Sequence, residues 1–302
     1  MRAISDGLPP LREVIAAFGV SARRKLGQNF LLDFNLTRKV ARAAGPLENT
    51  TIYEVGPGPG GLTRALLAEG ASRVIVIERD RRCVPALEEI ARAYAGKVGT
   101  VVGDALAVDE RELLRKYDAQ QPIRVAANLP YNLATALLVK WMTGPWPPFW
   151  ASLTLMFQRE VADRIVAVPG TSDYGRLSIL TQWRARPRIL FDVDRRAFTP
   201  APNVTSSLVR IEPLAQPVAP ARLDDLERVT LAAFGQRRKM LRQSLRQLAP
   251  NTDALFHASG IDPRLRPQDI DVPGFAALAR CYRQILELGE TGRCSVQKIT
   301  GH

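Results

Sequence analysis

Between Thr51 and about Glu212 the chain alternates short apolar runs with longer segments of helical period, a rhythm that few architectures accommodate. The strand-like runs are TIYEV (51–55), RVIVIE (73–78), KVGTVV (97–102), IRVAAN (123–128) and SLTLMF (152–157). Segments such as GLTRALLAEG and RDRRCVPALEEIARAYAG separate them, with apolar residues at helical spacing. Repeated strand–helix units imply a parallel sheet covered by helices. Two later runs, RILFDV (188–193) and SSLVRI (206–211), have no clear helix between them and are expected as an antiparallel pair at one edge.

A Pro-rich stretch, EPLAQPVAPARLDD (212–225), breaks this pattern, and from there the periodicity is helical only. The expected fold is therefore α/β, a doubly wound Rossmann-like sheet with a small all-α domain behind it. The expected domains are residues 1–215 (catalytic), 216–290 (helical) and a poorly ordered tail over 291–302. A chain of 302 residues suits two domains and buries a large core without disulfides or metals.

The first strand runs into EVGPGPGGLT (54–63), where Gly56, Gly58 and Gly61 satisfy G-x-G-x-x-G. Glu78 ends the second strand 22 residues after Gly56, positioned to accept ribose hydroxyls. A nicotinamide dinucleotide would satisfy that fingerprint, but its pyrophosphate needs backbone N–H groups at the turn. Pro57 and Pro59 have none to offer. A cofactor with a ribose and no phosphate fits better, and S-adenosylmethionine is such a cofactor. Glu54, unwelcome beside a pyrophosphate, is compatible with its cationic methionine end. Asp104, in GDA (103–105) after the third strand, faces the ligand crevice of an open sheet and is a candidate acceptor for the adenine amine.

Charge points to the partner. Lys and Arg number 42 against 30 acidic residues, a net charge of +12, and a pI near 10.2, so the chain attracts polyanions, nucleic acid above all. Cys83, Cys281 and Cys294 lack any paired spacing, and the two histidines, His257 and His302, lie far from the catalytic half. These exclude a disulfide framework and disfavour a zinc or histidine acid–base site, so no metal is expected. The N-terminus, interrupted by Asp6, Pro9, Pro10 and Glu13, does not resemble a signal peptide, and no apolar run approaches a membrane span. A cytoplasmic protein, acting as a monomer and away from membranes, is expected.

The fourth strand ends in AANLPYN (126–132). On its own this is a strand-to-helix turn. Beside a glycine loop it meets the requirements for N-methylation of a nucleobase amine. Such an amine is a poor nucleophile because its lone pair is delocalised into the ring. Acceptors on its N–H groups can aim that lone pair at a methyl donor, and the Asn128 side-chain oxygen with the carbonyl of Leu129 or Pro130 could serve. Pro130 stiffens the loop, and Tyr131 offers a ring for stacking, worth about 1–3 kcal/mol per base. No general base is required, because the proton turns acidic once the nitrogen is methylated.

Taken in order, KLGQNFLLD (25–33), EVGPGPGGLT, VIE (76–78), GDA, NLPYN, FTPAPNVTSSLVR (198–210) and RRKMLRQSL (237–245) resemble the ribosomal RNA adenine N6,N6-dimethyltransferase family. Within it, the resemblance is to the small-subunit enzymes linked to kasugamycin sensitivity, and it covers most of the chain. It implies a class I S-adenosylmethionine-dependent methyltransferase fold. It implies, as activity, dimethylation of two adjacent adenosines near the 3′ end of small-subunit RNA, on a pre-ribosomal small subunit. Asn29, Leu31, Gly56, Gly58, Glu78, Asp104 and Asn128 should then contact the cofactor. Phe198 should face Tyr131 across the flipped adenine, with Pro200 and Pro202 keeping its loop rigid; from the residues alone Phe198 reads as core. The rivals are a large-subunit adenine methyltransferase of the macrolide-resistance type and a non-catalytic RNA-binding assembly factor.

RNA contacts are expected from Arg237, Arg238, Lys239, Arg242 and Arg246. Arg238, Arg242 and Arg246 recur at i, i+4 and i+8, one face of a helix, with Leu241, Leu245 and Leu248 opposite. ARRK (22–25) forms a second basic patch.

Overall fold

A computed structural model describes residues 7–20, 22, 27–248 and 252–297. Its strands are β1 (Phe30–Leu31), β2 (Thr51–Val55), β3 (Arg73–Glu78), β4 (Val98–Val102), β5 (Ile123–Ala127), β6 (Ser152–Gln158), β7 (Ala185–Val193), β8 (Phe198–Thr199) and β9 (Ser206–Pro213). Seven form one sheet in the order β4-β3-β2-β5-β6-β9-β7, and β1 pairs with β8 apart from it. The first five sheet strands run parallel, while β9 runs antiparallel to β6. All five β2 residues are buried, as a central strand covered on both faces requires. The two runs expected at one edge, β9 and β7, are neighbours there.

Strand order reverses at β2, with β3 and β4 to one side and β5 and β6 to the other. Such a switch opens a crevice beyond the carboxyl ends of the central strands. The register Glu54↔Ala126 sets the loop after β2 beside the turn after β5. The helices here are α1 (Leu11–Ala17), α2 (Phe34–Ala43), α3 (Gly61–Ala68), α4 (Val84–Ala93), α5 (Glu110–Lys116), α6 (Tyr131–Thr143) and α7 (Arg159–Val166). Asp33 caps α2 by accepting from the Asn35 and Leu36 N–H groups, and Asp109 caps α5 by accepting from those of Arg111 and Glu112.

The chain divides into two compact units: residues 1–162 with 187–213, and residues 163–186 with 214–302. Residues 163–186 thus leave the first domain expected from sequence and pack with the later helices, α8 (Arg176–Arg184), α9 (Leu223–Gly235), α10 (Leu241–Ser244), α11 (Thr252–Ser259) and α12 (Val272–Gln297). Tyr174, Ile179 and Trp183 are buried in one core with Leu226, Val229, Phe275 and Leu278. The Pro-rich stretch is part of this unit: Leu214 N–H donates to the Arg184 carbonyl, Val218 N–H to that of Trp183, and the Trp183 indole to that of Ala219. Helix α12 takes in residues 291–297 of the expected tail; 298–302 lie outside the described residues.

One helix carrying Arg238, Arg242 and Arg246 does not form. Helix α9 ends at Gly235, a turn follows, and α10 spans four residues. Tertiary bonds override the helical period: Leu241 N–H donates to the Leu265 carbonyl and Arg242 N–H to that of Pro263, with Leu241 and Leu245 fully buried. Arg237 is drawn into the unit, its guanidinium bonded to the Thr171 and Ser172 carbonyls and to Gln268 Oε1. Arg238, Lys239, Arg242 and Arg246 are exposed. Residues 23–25 of the other basic patch lie outside the described residues.

Asp225, only 1% exposed, sits in the first turn of α9 and takes both Arg283 donors at 2.9 and 2.8 Å. Asp225→Ala would remove the buried carboxylate that takes both of these bonds and should cost roughly 3 kcal/mol. The urea midpoint should fall accordingly; an unchanged midpoint would assign the pair no stabilising role.

Candidate active site

The crevice holds a cavity of about 620 Å³, walled by the loops after β2, β3, β4 and β5 and by residues 27–31. Its base is the glycine loop. Gly58 and Gly60 adopt left-handed backbone conformations, φ 56° and 88°, which side chains disfavour. A Cβ on Gly58 would also stand 3.0 Å from Phe30 Cε1, and one on Gly60 would stand 2.1 Å from Ile90 Cδ1. Gly56 and Gly58 line the cavity beside Pro57 and Pro59, while Gly60 makes room for Ile90.

Glu78, 6% exposed, accepts from Gly58 N–H at 2.9 Å through Oε2 and from Asp80 N–H at 2.7 Å through Oε1. Burial pushes its carboxyl up, while those two N–H groups draw it back down. Its oxygens keep lone pairs for a ligand's hydroxyls. Glu54, 1% exposed and also on the cavity wall, accepts from Thr63 Oγ1 at 2.7 Å. Burial first, then the charge of nearby Glu78, pushes its carboxyl up to about 8, against the pull of the Thr63 bond. Asp104 spends Oδ1 on the Leu106 N–H at 3.0 Å, and Oδ2 lies 3.7 Å from an exposed Arg79 nitrogen.

At the turn after β5, Asn128 Nδ2 donates to the Asn29 carbonyl at 3.2 Å, which reserves Oδ1 as an acceptor. The Pro130 carbonyl already accepts from the Leu133 and Ala134 N–H groups at the start of α6. Of the two carbonyls open from sequence, that leaves Leu129. The Leu129 side chain is buried, within 3.2 Å of where a Gly56 Cβ would stand, so loop and turn are in contact. Asn29, Leu31, Gly56, Gly58, Glu78, Asp104, Asn128 and Pro130 line the cavity.

Leu129, Tyr131 and Phe198 are not among the residues that line the cavity, although Leu129 and Tyr131 flank Pro130, which does. Tyr131 is half-buried, its hydroxyl 2.7 Å from Ser206 Oγ, and burial pushes the phenol up. Phe198 is 3% exposed, paired with Leu31 between β8 and β1 and packed in the core with Val40 and Leu66. Phe198 thus supports β1, as its reading as a core residue expects. Sequence reasoning missed Gln28 and Asp80, which also line the cavity. Gln28 Nε2 donates to Asp80 Oδ2 at 3.3 Å, and the Arg82 guanidinium holds the Asp80 carboxyl below its usual range. Their only sequence signal was adjacency, Gln28 to Asn29 and Asp80 to the end of the Glu78 strand.

Among solved structures, a 23S rRNA methyltransferase, ErmE, aligns with a TM-score of 0.61 at 25% identity over 85% of this chain and 100% of that one. A dimethyladenosine transferase from Plasmodium falciparum aligns with 0.64 at 23% identity, over 84% and 96%. The fold is that of the class I S-adenosylmethionine-dependent methyltransferases. The sequence matches the ribosomal RNA adenine dimethylase family over residues 19–281, and the chain belongs to that family. Its relatives include the ribosomal RNA small subunit methyltransferase A of Azorhizobium caulinodans, 62% identical over 93% of this chain and 95% of that protein. The same-named protein of Rhodospirillum rubrum is 58% identical over 91% and 93%. Family membership makes this chain a methyltransferase with ribosomal RNA as substrate and S-adenosylmethionine as methyl donor. Among the described residues, no three His, Cys, Asp or Glu side chains group as a metal site, and no helix is long and apolar enough to cross a membrane.

Proposed function

We propose that the chain dimethylates the N6 amines of two adjacent adenosines near the 3′ end of small-subunit ribosomal RNA. The observation that carries this is Asn128, its amide nitrogen committed to Asn29 and its oxygen reserved, on the wall shared with the glycine loop. The cavity fits the methyl donor in chemistry as well as place. Glu78 suits ribose hydroxyls, Asp104 Oδ2 the adenine amine, and bare backbone at Gly56 and Gly58 close approach. When bound, S-adenosylmethionine supplies an electrophilic methyl group on a sulfonium centre.

Asn128 Oδ1 and the Leu129 carbonyl accept the N–H groups of the target adenine and orient its nitrogen. Pro130 stiffens the turn. Tyr131, its hydroxyl tied to Ser206, holds its ring for stacking. Extracting the base from its helix costs a few kcal/mol. Phosphate contacts through exposed Arg238, Lys239, Arg242 and Arg246 help offset that cost, while Arg237 serves the fold. Ribosomal RNA as substrate supports a cytoplasmic enzyme.

Glu54 gives the reading a pH signature. Its carboxyl, near 8 in the folded chain, is neutral at pH 7. A sulfonium cation nearby favours the ionised form, so cofactor binding below pH 8 should release a proton. Affinity should rise with pH up to about 8. Stability runs the other way: a raised carboxyl favours the folded state below its unfolded value, and that contribution is lost as pH rises towards 8. Calorimetry in buffers of different ionisation enthalpy should show proton release for wild type and none for Glu54→Gln.

The substrate assignment is tested with methyl-labelled cofactor and a mixture of under-methylated small subunits and large subunits. Label in small-subunit RNA supports it; label in large-subunit RNA alone reverses it.

A further inference from the structure

Helix α6 begins at the target-amine turn and reaches, three turns later, the backbone of the loop that carries Asp104. Asn132, Ala136 and Lys140 recur at i, i+4 and i+8 on one stripe of α6. Asn132 and Ala136 line the cavity. Lys140 ends the stripe with its ammonium bonded to the Ala105 carbonyl at 2.9 Å, the Val108 carbonyl at 2.6 Å and Glu110 Oε1 at 2.8 Å. Those three acceptors use all three ammonium protons. Glu110, buried at the start of α5, also accepts from the Trp141 indole at 2.8 Å. Trp141 packs edge-on against Phe149, which does the same against fully buried Tyr53 of β2. The loop between β4 and α5 is thus held from the α6 side by one cation, and that cation is anchored by a buried carboxylate and an aromatic cluster.

We propose that Lys140 is a positioning residue for cofactor binding: it fixes the Asp104–Leu106 backbone at the cavity edge and ties that edge, through α6, to the Asn128 turn. This rests on the reading of the cavity as the S-adenosylmethionine site. Lys140 touches neither cofactor nor base. Two of its three bonds fix carbonyls that follow Asp104, and the Asp104 carboxylate is itself bonded to the Leu106 N–H of the same loop. Loss of the ammonium frees two carbonyls and a buried carboxylate together, and the loop then samples positions in which Asp104 cannot meet the cofactor's adenine. A lysine is required because three acceptors converge on one point; an arginine keeps the charge and restores part of the geometry.

The test compares Lys140→Met and Lys140→Arg with wild type by calorimetry with S-adenosylmethionine, steady-state kinetics on under-methylated small subunits, and thermal unfolding. Lys140→Met should weaken cofactor binding by about tenfold, the size of a lost charge-assisted bond. KM for cofactor should rise in step, with kcat at saturating cofactor and KM for the subunits within about twofold, because the Asn128 turn stays intact. Lys140→Arg should recover part of the affinity. Wild-type cofactor affinity in Lys140→Met would overturn the proposal, and a lowered melting temperature alone would make Lys140 merely structural. A wild-type chain that binds no S-adenosylmethionine would overturn the cavity reading and this inference with it.

Discussion

Asn128→Ala is expected to slow methyl transfer by roughly 10²- to 10³-fold at saturating cofactor and RNA, the scale of removing one preorganised hydrogen-bonding group from a reacting centre. The wild-type amide gives an N–H to the Asn29 carbonyl, which orients the group and keeps its oxygen as the acceptor for the chemistry. Alanine removes that acceptor and releases the brace between the turn and residues 27–31. Cofactor affinity should fall by much less, about 1 kcal/mol for the lost brace. Single-turnover rates on under-methylated small subunits, paired with calorimetry, separate the two effects. A variant that transfers methyl at the wild-type rate would remove Asn128 from the mechanism.

Gly58→Val should act on the other half of the reaction. Its φ of 56° is one that valine resists, and its Cβ would press on Phe30 from 3.0 Å. Phe30 lies in β1 beside Asn29 and Leu31, and the Gly58 N–H holds Glu78. One substitution therefore disturbs the loop, the ribose carboxylate and the N-terminal wall together. Local strain of about 1–3 kcal/mol corresponds at its upper end to roughly 100-fold weaker cofactor binding. The sheet behind the loop is untouched, so unfolding should remain cooperative. Tight cofactor binding by Gly58→Val would show that close backbone approach is not what the loop provides.

That the residues expected to hold the cofactor line one cavity was legible in the sequence because each part is local. A glycine loop follows a strand directly, Glu78 and Asp104 end or follow strands, and Asn128 opens a turn, so strand order alone gathers them at one edge. The prolines of the loop carried chemistry that the glycine spacing did not. What stayed hidden depends on partners distant in sequence. Residues 163–186 follow a strand as the earlier helices do, and nothing local reveals that Trp183 is buried against the later helices. The basic run at 237–246 has helical period, yet the carbonyls of Pro263 and Leu265, some twenty residues on, break it. Arg237 and Arg238 are adjacent and identical in type, but only the structure separates the one bonded to Thr171 from the one left exposed.

Phe198 reads as core from the residues alone, and its burial beside Leu31 agrees; a stacking role for it comes from the resemblance only. Lys140 is the opposite case. It has no motif and no unusual neighbours in sequence, and it acquires a role because a helix of thirteen residues spans from the Asn128 turn to the Asp104 loop.

The most direct measurement of the central claim is the identity of the product. Under-methylated small subunits would be incubated with the wild-type chain and S-adenosylmethionine, and their RNA digested to nucleosides and resolved by mass spectrometry. N6,N6-dimethyladenosine should appear, mapped to two adjacent positions near the 3′ end, and should be lost from the Asn128→Ala reaction. Methyl groups on any other base or atom, or no methylated nucleoside at all, would contradict the account.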